Sequence, residues 1–201
     1  MTTAIYLAHL NPVTNAHVEI INELKNQADV IKVMPVIFIK NDKELNSRSF
    51  PFSFEIREKM IESVFGDSVI VSRNYTFYAP FSRYLPPFLS PLSWKLRRQI
   101  LEGIEGDYFA YTGDKAEGYM LKMYRLNPKV GTRKQVSATS VKNKLYDAAM
   151  GNESSWKDEV PLQVAKIVEE NWNIIEKFAG MDDNTTHVLG MKFPREGYWS
   201  K

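Results

Sequence analysis

The sequence predicts an α/β fold in which helices cover both faces of a parallel β-sheet. Short apolar runs rich in β-branched residues alternate with segments whose apolar residues recur at helical spacing. The segment 30–39 is mostly apolar, which is typical of a strand buried in a parallel sheet. The chain has 201 residues, of which 44% are hydrophobic, enough for one substantial domain.

The predicted elements follow one another in βαβ order. Strands are expected at about 3–8, 30–39, 68–72 and 108–111. Helices are expected at about 16–27, 54–65, 93–101, 115–126 and 160–178, with a further helix ending near 150. Pro35 predicts that the second strand lies at an edge or is broken. This alternation predicts a Rossmann-like, doubly wound parallel sheet, whose ligands bind at the carboxyl ends of the strands.

The chain divides into one domain and a short tail. We expect residues 1–180 to form the domain, with the last helix as a C-terminal helical extension. Residues 181–201 show no clear periodicity and are expected to pack on the domain or to be partly disordered. The segment 73–91 is unusually rich in Tyr, Phe and Pro, and the sequence leaves its role open.

Composition excludes several classes of function. The net charge of +2 is too small to argue for nucleic acid or a membrane surface as a partner. The absence of Cys excludes a disulfide framework and a thiolate zinc site, and it suits a reducing compartment. No secretory signal and no apolar run of the ~20 residues that span a bilayer is visible. We therefore expect a cytoplasmic protein with no nucleic-acid or membrane partner.

The turn after the first strand is the most informative segment. An unpaired N–H group at a helix start carries partial positive charge and favours phosphate, and an imidazole in the same turn can donate a hydrogen bond to a phosphoryl oxygen. The segment therefore predicts a site for a nucleoside triphosphate, or else an ordinary polar turn before an amphipathic helix. It runs His9-Leu10-Asn11-Pro12-Val13-Thr14-Asn15-Ala16-His17.

A second segment of small hydroxyl residues precedes an apolar-periodic run. Ser137, Thr139 and nearby backbone N–H groups can bind phosphate oxygens, and Lys142 adds a positive charge one turn into the helix. Taken alone, such a segment is more often a helix cap followed by a solvated lysine. It runs Val136-Ser137-Ala138-Thr139-Ser140-Val141-Lys142.

In this order, the two segments resemble the signatures of the nucleotidylyltransferase superfamily. The first signature is (H/T)-x-G-H, whose polar positions fall on Thr14 and His17; the second is I-S-(S/G/A)-T-x-(I/V)-(R/K). Three further segments are similar to archaeal-type nicotinamide mononucleotide adenylyltransferases. They are Phe50-Pro51-Phe52-Ser53-Phe54-Glu55-Ile56-Arg57, Leu92-Ser93-Trp94 and Trp156-Lys157-Asp158-Glu159-Val160-Pro161. The chain departs from that family where His9 replaces an Arg, Thr14 a His and Ala16 a Gly.

This resemblance implies that the protein transfers AMP from ATP to the phosphate of nicotinamide or nicotinate mononucleotide and releases pyrophosphate. Mg²⁺ would bind through the substrate phosphates, without protein metal ligands, and the superfamily often forms homo-oligomers. The residues that would carry the chemistry are Thr14, His17 and Lys142. The nucleotide would be bound by His9, Leu10, Asn11, Thr112, Gly113, Asp114, Ser137, Ala138 and Thr139, and the acceptor by Lys40, Arg57 and Trp94.

Several interpretations stay open at the level of sequence. Lys40 and Arg57 are equally well solvated charges, and Asp114 is equally well a helix cap. An aromatic residue among Leu and Pro, such as Trp94, is more often part of the core. The acceptor and the nucleotide are also open, because a cytidylyltransferase and a pantetheine-phosphate adenylyltransferase fit the same signatures. A nucleotide-binding regulator without turnover is the alternative outside the enzymes, and the changes at His9, Thr14 and Ala16 motivate it.

Overall fold

The computed structural model describes residues 1–113, 115–132, 134–188 and 190–199. The strands are β1 Thr2–Ala8, β2 Val30–Pro35, β3 Ile37–Lys40, β4 Lys43–Glu44, β5 Ile70–Val71, β6 Thr76–Tyr78, β7 Asp107–Thr112, β8 Pro128–Val130, β9 Thr185–Val188 and β10 Met191–Pro194. The α-helices are α1 Asn15–Lys25, α2 Phe54–Phe65, α3 Pro91–Ile100, α4 Lys115–Met123, α5 Ala138–Ala149, α6 Leu162–Glu170 and α7 Trp172–Ala179.

The central sheet has the order β5-β2-β1-β7-β8, and all neighbouring strands run parallel. From β1 the chain adds β2 and β5 on one side and later adds β7 and β8 on the other. The strand order therefore reverses between β1 and β7, where ligands bind in doubly wound sheets. The Rossmann-like α/β fold predicted from the sequence is confirmed.

Alternating residues of β1 build the two faces of the core. Ala4 and Tyr6 belong to one apolar cluster, which α1, α2, α5, α6 and α7 cover. Ile5 and Leu7 belong to a second cluster on the opposite face, because successive side chains of a strand point to opposite sides. The sheet is thus buried on both faces, as its apolar strands predict.

The predicted strand at 30–39 is in fact two strands. β2 ends at Pro35, and the chain then leaves the central sheet, so the prediction of one continuous strand is wrong while the predicted break is confirmed. Proline has no N–H to donate to a ladder, which favours an end at that position. β3 instead pairs with β4 and β6 in a separate small sheet.

The predicted helix at 160–178 is also interrupted. α6 ends before Asn171 and α7 begins after it, since Asn171 has φ −114° and ψ 26°. The Asn171 side-chain amide donates a hydrogen bond to the carbonyl of Ile167 at 2.8 Å. Asparagine competes in this way with the regular helix ladder. The single-helix prediction is therefore wrong at this residue.

The aromatic stretch 73–91 and the C-terminal tail both contribute to the second core cluster. In the stretch 73–91, Phe77, Phe81 and Tyr84 are buried. After residue 180 the chain forms an antiparallel hairpin of β9 and β10, and Phe193 and Tyr198 pack into the same cluster. Within the described part of the chain, no helix is long and apolar enough to cross a membrane.

Candidate nucleotide site

The turn after β1 is held by the side chain of Asn11. Its amide donates to the carbonyl of Phe52 at 2.8 Å, and its carbonyl accepts from the N–H of Phe52 at 3.1 Å. Leu10 adopts a left-handed backbone (φ 50°) while its side chain is fully buried. Non-glycine residues with this conformation concentrate at functional sites because surrounding contacts must hold them there. The turn is therefore a fixed feature of the structure.

His17 lies in the first turn of α1 and is oriented by Thr14. The backbone N–H of Thr14 donates to Nδ1 of His17 at 2.9 Å, and Oγ1 of Thr14 lies 3.0 Å from the same nitrogen. Because Nδ1 accepts, the proton of the neutral ring is on Nε2. Burial, together with the nearby charge of Lys142, lowers the pKa of His17 to about 4. At neutral pH the side chain is therefore an uncharged N–H donor.

Lys142 connects the two sequence motifs. It lies on α5, is buried, and donates from Nζ to the backbone carbonyl of Asn11 at 3.1 Å. Burial lowers the pKa of Lys142 to about 7, with a further lowering by Lys192 and an opposing effect of Asp183. Ser137 caps the same helix by accepting from the N–H of Ser140 at 3.1 Å. Because Lys142 bonds to the turn, the helix start that contains Ala138 and Thr139 is connected to the turn through the same helix.

His9 does not provide a positive charge at this turn. Its ring stacks on Phe50 with centroids 4.8 Å apart, and its Nδ1 is buried without a partner among the described residues. Burial, followed by the charges of Lys142 and Arg57, lowers the pKa of His9 to about 3. The ring is thus neutral at pH 7 and leaves one buried polar atom unpaired.

The carboxyl end of β7 lies at the same edge of the sheet. Tyr6 of β1 is opposite Tyr111 of β7 in parallel register, so Thr112 and Gly113 follow at the level where β1 ends. Thr112 is buried, and its hydroxyl donates to the carboxylate of Glu117. The carbonyl of Thr112 accepts from the N–H of Gly131 at 2.9 Å. Asp114 lies outside the described residues.

Arg57 contacts the turn, and its guanidinium N–H groups donate to other groups of the protein. It is buried in an ion pair with Glu44 at 2.9 Å, and it donates to the carbonyls of His9 at 2.9 Å and Val36 at 2.8 Å. Its hydrogen bonds therefore connect the turn to Glu44 and Val36, and its role in binding an acceptor stays a prediction.

Lys40 and Trp94 are not brought to the two motifs. Lys40 forms an exposed ion pair with Glu196 at 3.2 Å. The indole N–H of Trp94 donates to the carbonyl of Phe88 at 3.1 Å, and the guanidinium of Arg125 lies 5.4 Å from its ring centre. Both side chains have their contacts elsewhere in the fold.

Three residues near the turn were not singled out from the sequence. Lys192 of β10 donates to Oδ2 of Asp183 at 2.7 Å and to the hydroxyl of Ser49, which itself donates to Oδ1 of Asp183 at 2.7 Å. Ser49 precedes Phe50, on which His9 stacks. The alternation of Met191, Lys192 and Phe193 indicates a strand, but nothing in it indicates the turn that the strand approaches.

The described part of the chain contains no group of three or more His, Cys, Asp or Glu side chains suited to a metal ion. The carboxylates near the turn, those of Asp183 and Glu44, are each paired with a cationic side chain. The other titratable groups described there are the ammonium group of Lys142 and two neutral imidazoles. These groups suit an anionic ligand.

Comparison with known proteins gives structural likenesses only. No protein-family model and no curated protein matches the chain. The solved structures that resemble it include a bifunctional NMN adenylyltransferase/ADP ribose pyrophosphatase from Francisella tularensis, with a TM-score of 0.64 and 15% identity over 89% of this chain and 52% of that one. The same Francisella protein complexed with AMP and a manganese ion has a TM-score of 0.56 and 16% identity, over 87% of this chain and 54% of that one.

A provisionally named nicotinate-nucleotide adenylyltransferase from Vibrio parahaemolyticus has a TM-score of 0.55 and 14% identity, over 88% of this chain and 96% of that one. The chain thus spans about half the length of the Francisella protein and nearly all of the Vibrio protein. At these identities the likeness concerns the fold. The chain has the fold of the NMN and nicotinate-nucleotide adenylyltransferases that it resembles.

Proposed function

We propose that this protein is a nucleotidylyltransferase that transfers AMP from ATP to nicotinamide or nicotinate mononucleotide. The observation that carries the proposal is the joining of the two motifs at the strand switch point, where Lys142 bonds the turn that precedes His17. The named activities of the Francisella and Vibrio proteins, which share the fold, support the choice of adenylate and of a pyridine nucleotide acceptor.

The reaction needs no general base at this site. A phosphate oxygen of the acceptor, already ionised at neutral pH, attacks the α-phosphorus of ATP. The bond from that phosphorus to the oxygen bridging to the β-phosphorus breaks, and pyrophosphate leaves. The protein then contributes positioning and stabilisation of charge. Nε2–H of His17 donates to an α-phosphoryl oxygen as negative charge develops, and Lys142 neutralises charge on the leaving phosphates.

The surroundings of the turn also fit a metal carried by the substrate. The titratable groups of the two motifs are Lys142 and two neutral histidines, so a Mg²⁺ ion would be bound through the triphosphate, as this ion commonly is. When bound, Mg²⁺ would offset part of the negative charge of the triphosphate. The hydroxyls of Ser137 and Thr139 at the start of α5 are candidates for the outer phosphates.

Pyrophosphate release tests the proposal directly. ATP and CTP are each combined with nicotinamide mononucleotide, nicotinate mononucleotide and phosphopantetheine, with Mg²⁺ present. We expect release with ATP and a pyridine mononucleotide. If pyrophosphate is released only with CTP, or only when phosphopantetheine is the acceptor, the assignment of the substrates is wrong. Binding of ATP without release of pyrophosphate would indicate a regulator. Binding of neither ATP nor CTP would refute the proposed function.

Substitution of His17 tests the mechanism. Because its hydrogen bond strengthens as charge builds, His17→Ala should lower kcat by about 10²–10³-fold with a much smaller change in ATP affinity. Asn15→Ala is the matched control, since Asn15 lies in the same helical turn but donates to the carbonyl of Asp158 at 3.0 Å. An unchanged kcat in His17→Ala would show that His17 only caps the helix.

A further inference from the structure

The loop at residues 47–52 joins the C-terminal hairpin to both motifs. Phe50 stacks on His9, and Phe52 holds the side chain of Asn11. The carbonyl of Arg48 accepts from the hydroxyl of Tyr146 on α5 at 2.6 Å. Between these contacts lies Ser49, which is buried and bonded to Lys192 and Asp183. The ammonium group of Lys192 is therefore held one residue away from the ring that stacks on His9.

The charges around this loop do not balance. Lys142 is bonded to a backbone carbonyl and has no carboxylate partner among the described residues. Lys192 is paired with the carboxylate of Asp183, whereas the carboxylate of Glu44 is already paired with Arg57. Lys192 also lowers the pKa of both Lys142 and His9, so it lies within electrostatic reach of both. Two ammonium groups facing one carboxylate leave an excess of positive charge.

An anionic ligand could contact the side chains around this loop, because Lys192 is partly exposed and a polar atom of His9 has no partner among the described residues. The Lys192 side chain keeps 24% of its surface exposed, whereas that of Asp183 keeps 39%, so neither is sealed in the core. Nδ1 of His9 has no partner among the described residues. A polyanion at the turn would offset the repulsion between the two lysines, and the carboxylate of Asp183 would compete with it for Lys192.

We propose that Lys192 binds the same polyphosphate chain as Lys142, so that the C-terminal hairpin completes the nucleotide site. Ser49 positions the ammonium group, and Asp183 holds it while no nucleotide is bound. This inference rests on the proposed function and assigns part of the site to residues that follow the predicted domain boundary at 180.

Calorimetric titration of the whole protein with inorganic tripolyphosphate and Mg²⁺ tests the inference. Because Lys192→Met removes a charge-assisted hydrogen bond to the phosphate chain, it should weaken binding by about tenfold or more. Lys192→Arg should stay within about threefold of the original affinity, because the charge remains. Lys25→Met is the matched control, since Lys25 lies at the far end of α1 and bonds to Ser68.

Asp183→Asn separates ligand binding from a structural role. If Asp183 competes with phosphate, removing its charge should tighten tripolyphosphate binding by about threefold. If the cluster only anchors the hairpin, Asp183→Asn and Lys192→Met should both weaken binding and both lower the melting temperature, which would overturn the inference. If Lys192→Met binds tripolyphosphate as tightly as the original protein does, the inference about Lys192 is overturned but the proposed function is not. If the original protein does not bind tripolyphosphate, the proposed function is overturned as well.

Discussion

Lys142 should take up a proton when a triphosphate binds. Its pKa of about 7 in the free protein arises from burial and from the neighbouring Lys192. A bound polyphosphate supplies the missing negative charge and should return the pKa toward its ordinary value of about 10.4. Since the pKa is higher in the complex, binding takes up protons between the two values, and affinity falls as the pH rises above 7.

The pKa of about 7 sets the size of the effect. At pH 8 about nine-tenths of the free Lys142 side chains would be uncharged, so binding should take up about 0.9 proton, against about 0.1 at pH 6. If only the charged form binds, affinity should fall by about tenfold between pH 6 and pH 8. The terminal phosphate itself, with a pKa of about 6, is already ionised at pH 8 and contributes little there.

Calorimetry in two buffers of different ionisation enthalpy measures this uptake, using a non-hydrolysable ATP analogue with Mg²⁺ at pH 8. Lys142→Arg is the matched variant, because a guanidinium keeps its charge at every pH in the range. We expect no proton uptake in Lys142→Arg and an affinity that is nearly independent of pH. Uptake near zero in the original protein, or equal uptake in both proteins, would refute the argument.

Three other predictions concern stability and the placement of single residues. Asn11→Ala leaves the N–H and carbonyl of Phe52 without their partner, so urea denaturation should show that the free energy of unfolding falls by about 2–4 kcal/mol. A fall below about 0.5 kcal/mol would show that these two hydrogen bonds do not hold the turn. Burial lowers the pKa of His9 to about 3 and that of His17 to about 4, so below about pH 6.5 the unfolded chain binds more protons than the folded one. The free energy of unfolding should therefore fall by a few kcal/mol as the pH falls from about 6.5 toward 4. A free energy of unfolding that does not change between about pH 7 and pH 5 would be inconsistent with buried neutral rings. Trp94→Ala should lower the melting temperature and leave the KM values for ATP and acceptor unchanged; a rise in the acceptor KM alone would instead place the ring in the acceptor site.

Much of the fold follows from signals that are local in the chain. The apolar run of β1, the turn and the helix start at Thr14 lie within a few residues of one another, and the contact of Thr14 with His17 spans a single helical turn. The bounds predicted for the helix at 54–65 match α2. Periodicity and capping depend on neighbouring residues only, which is why sequence suffices for them.

The same reasoning could not predict the contacts of residues whose environment is set by distant parts of the chain. Arg57 was a candidate for binding an acceptor, yet Glu44 and the carbonyls of His9 and Val36 take up its donors. A charged residue on a helix looks the same in sequence whether solvent or a buried carboxylate faces it. Trp94 and Lys40 illustrate the same limit, because their partners lie in segments without any signal for contact.

The sequence by itself determined the α/β class, the two polar motifs at helix starts and the histidine at the start of α1, since each depends on the order and spacing of nearby residues. Only the tertiary structure decided that Lys142 reaches the carbonyl of Asn11 across 131 positions, and that Lys192 approaches the same turn from the C-terminal hairpin. The physical reason is that burial and charge at a site are sums over every element packed there. These sums make His17 a neutral donor and lower the pKa of Lys142 to about 7, and no local pattern in the chain contains them.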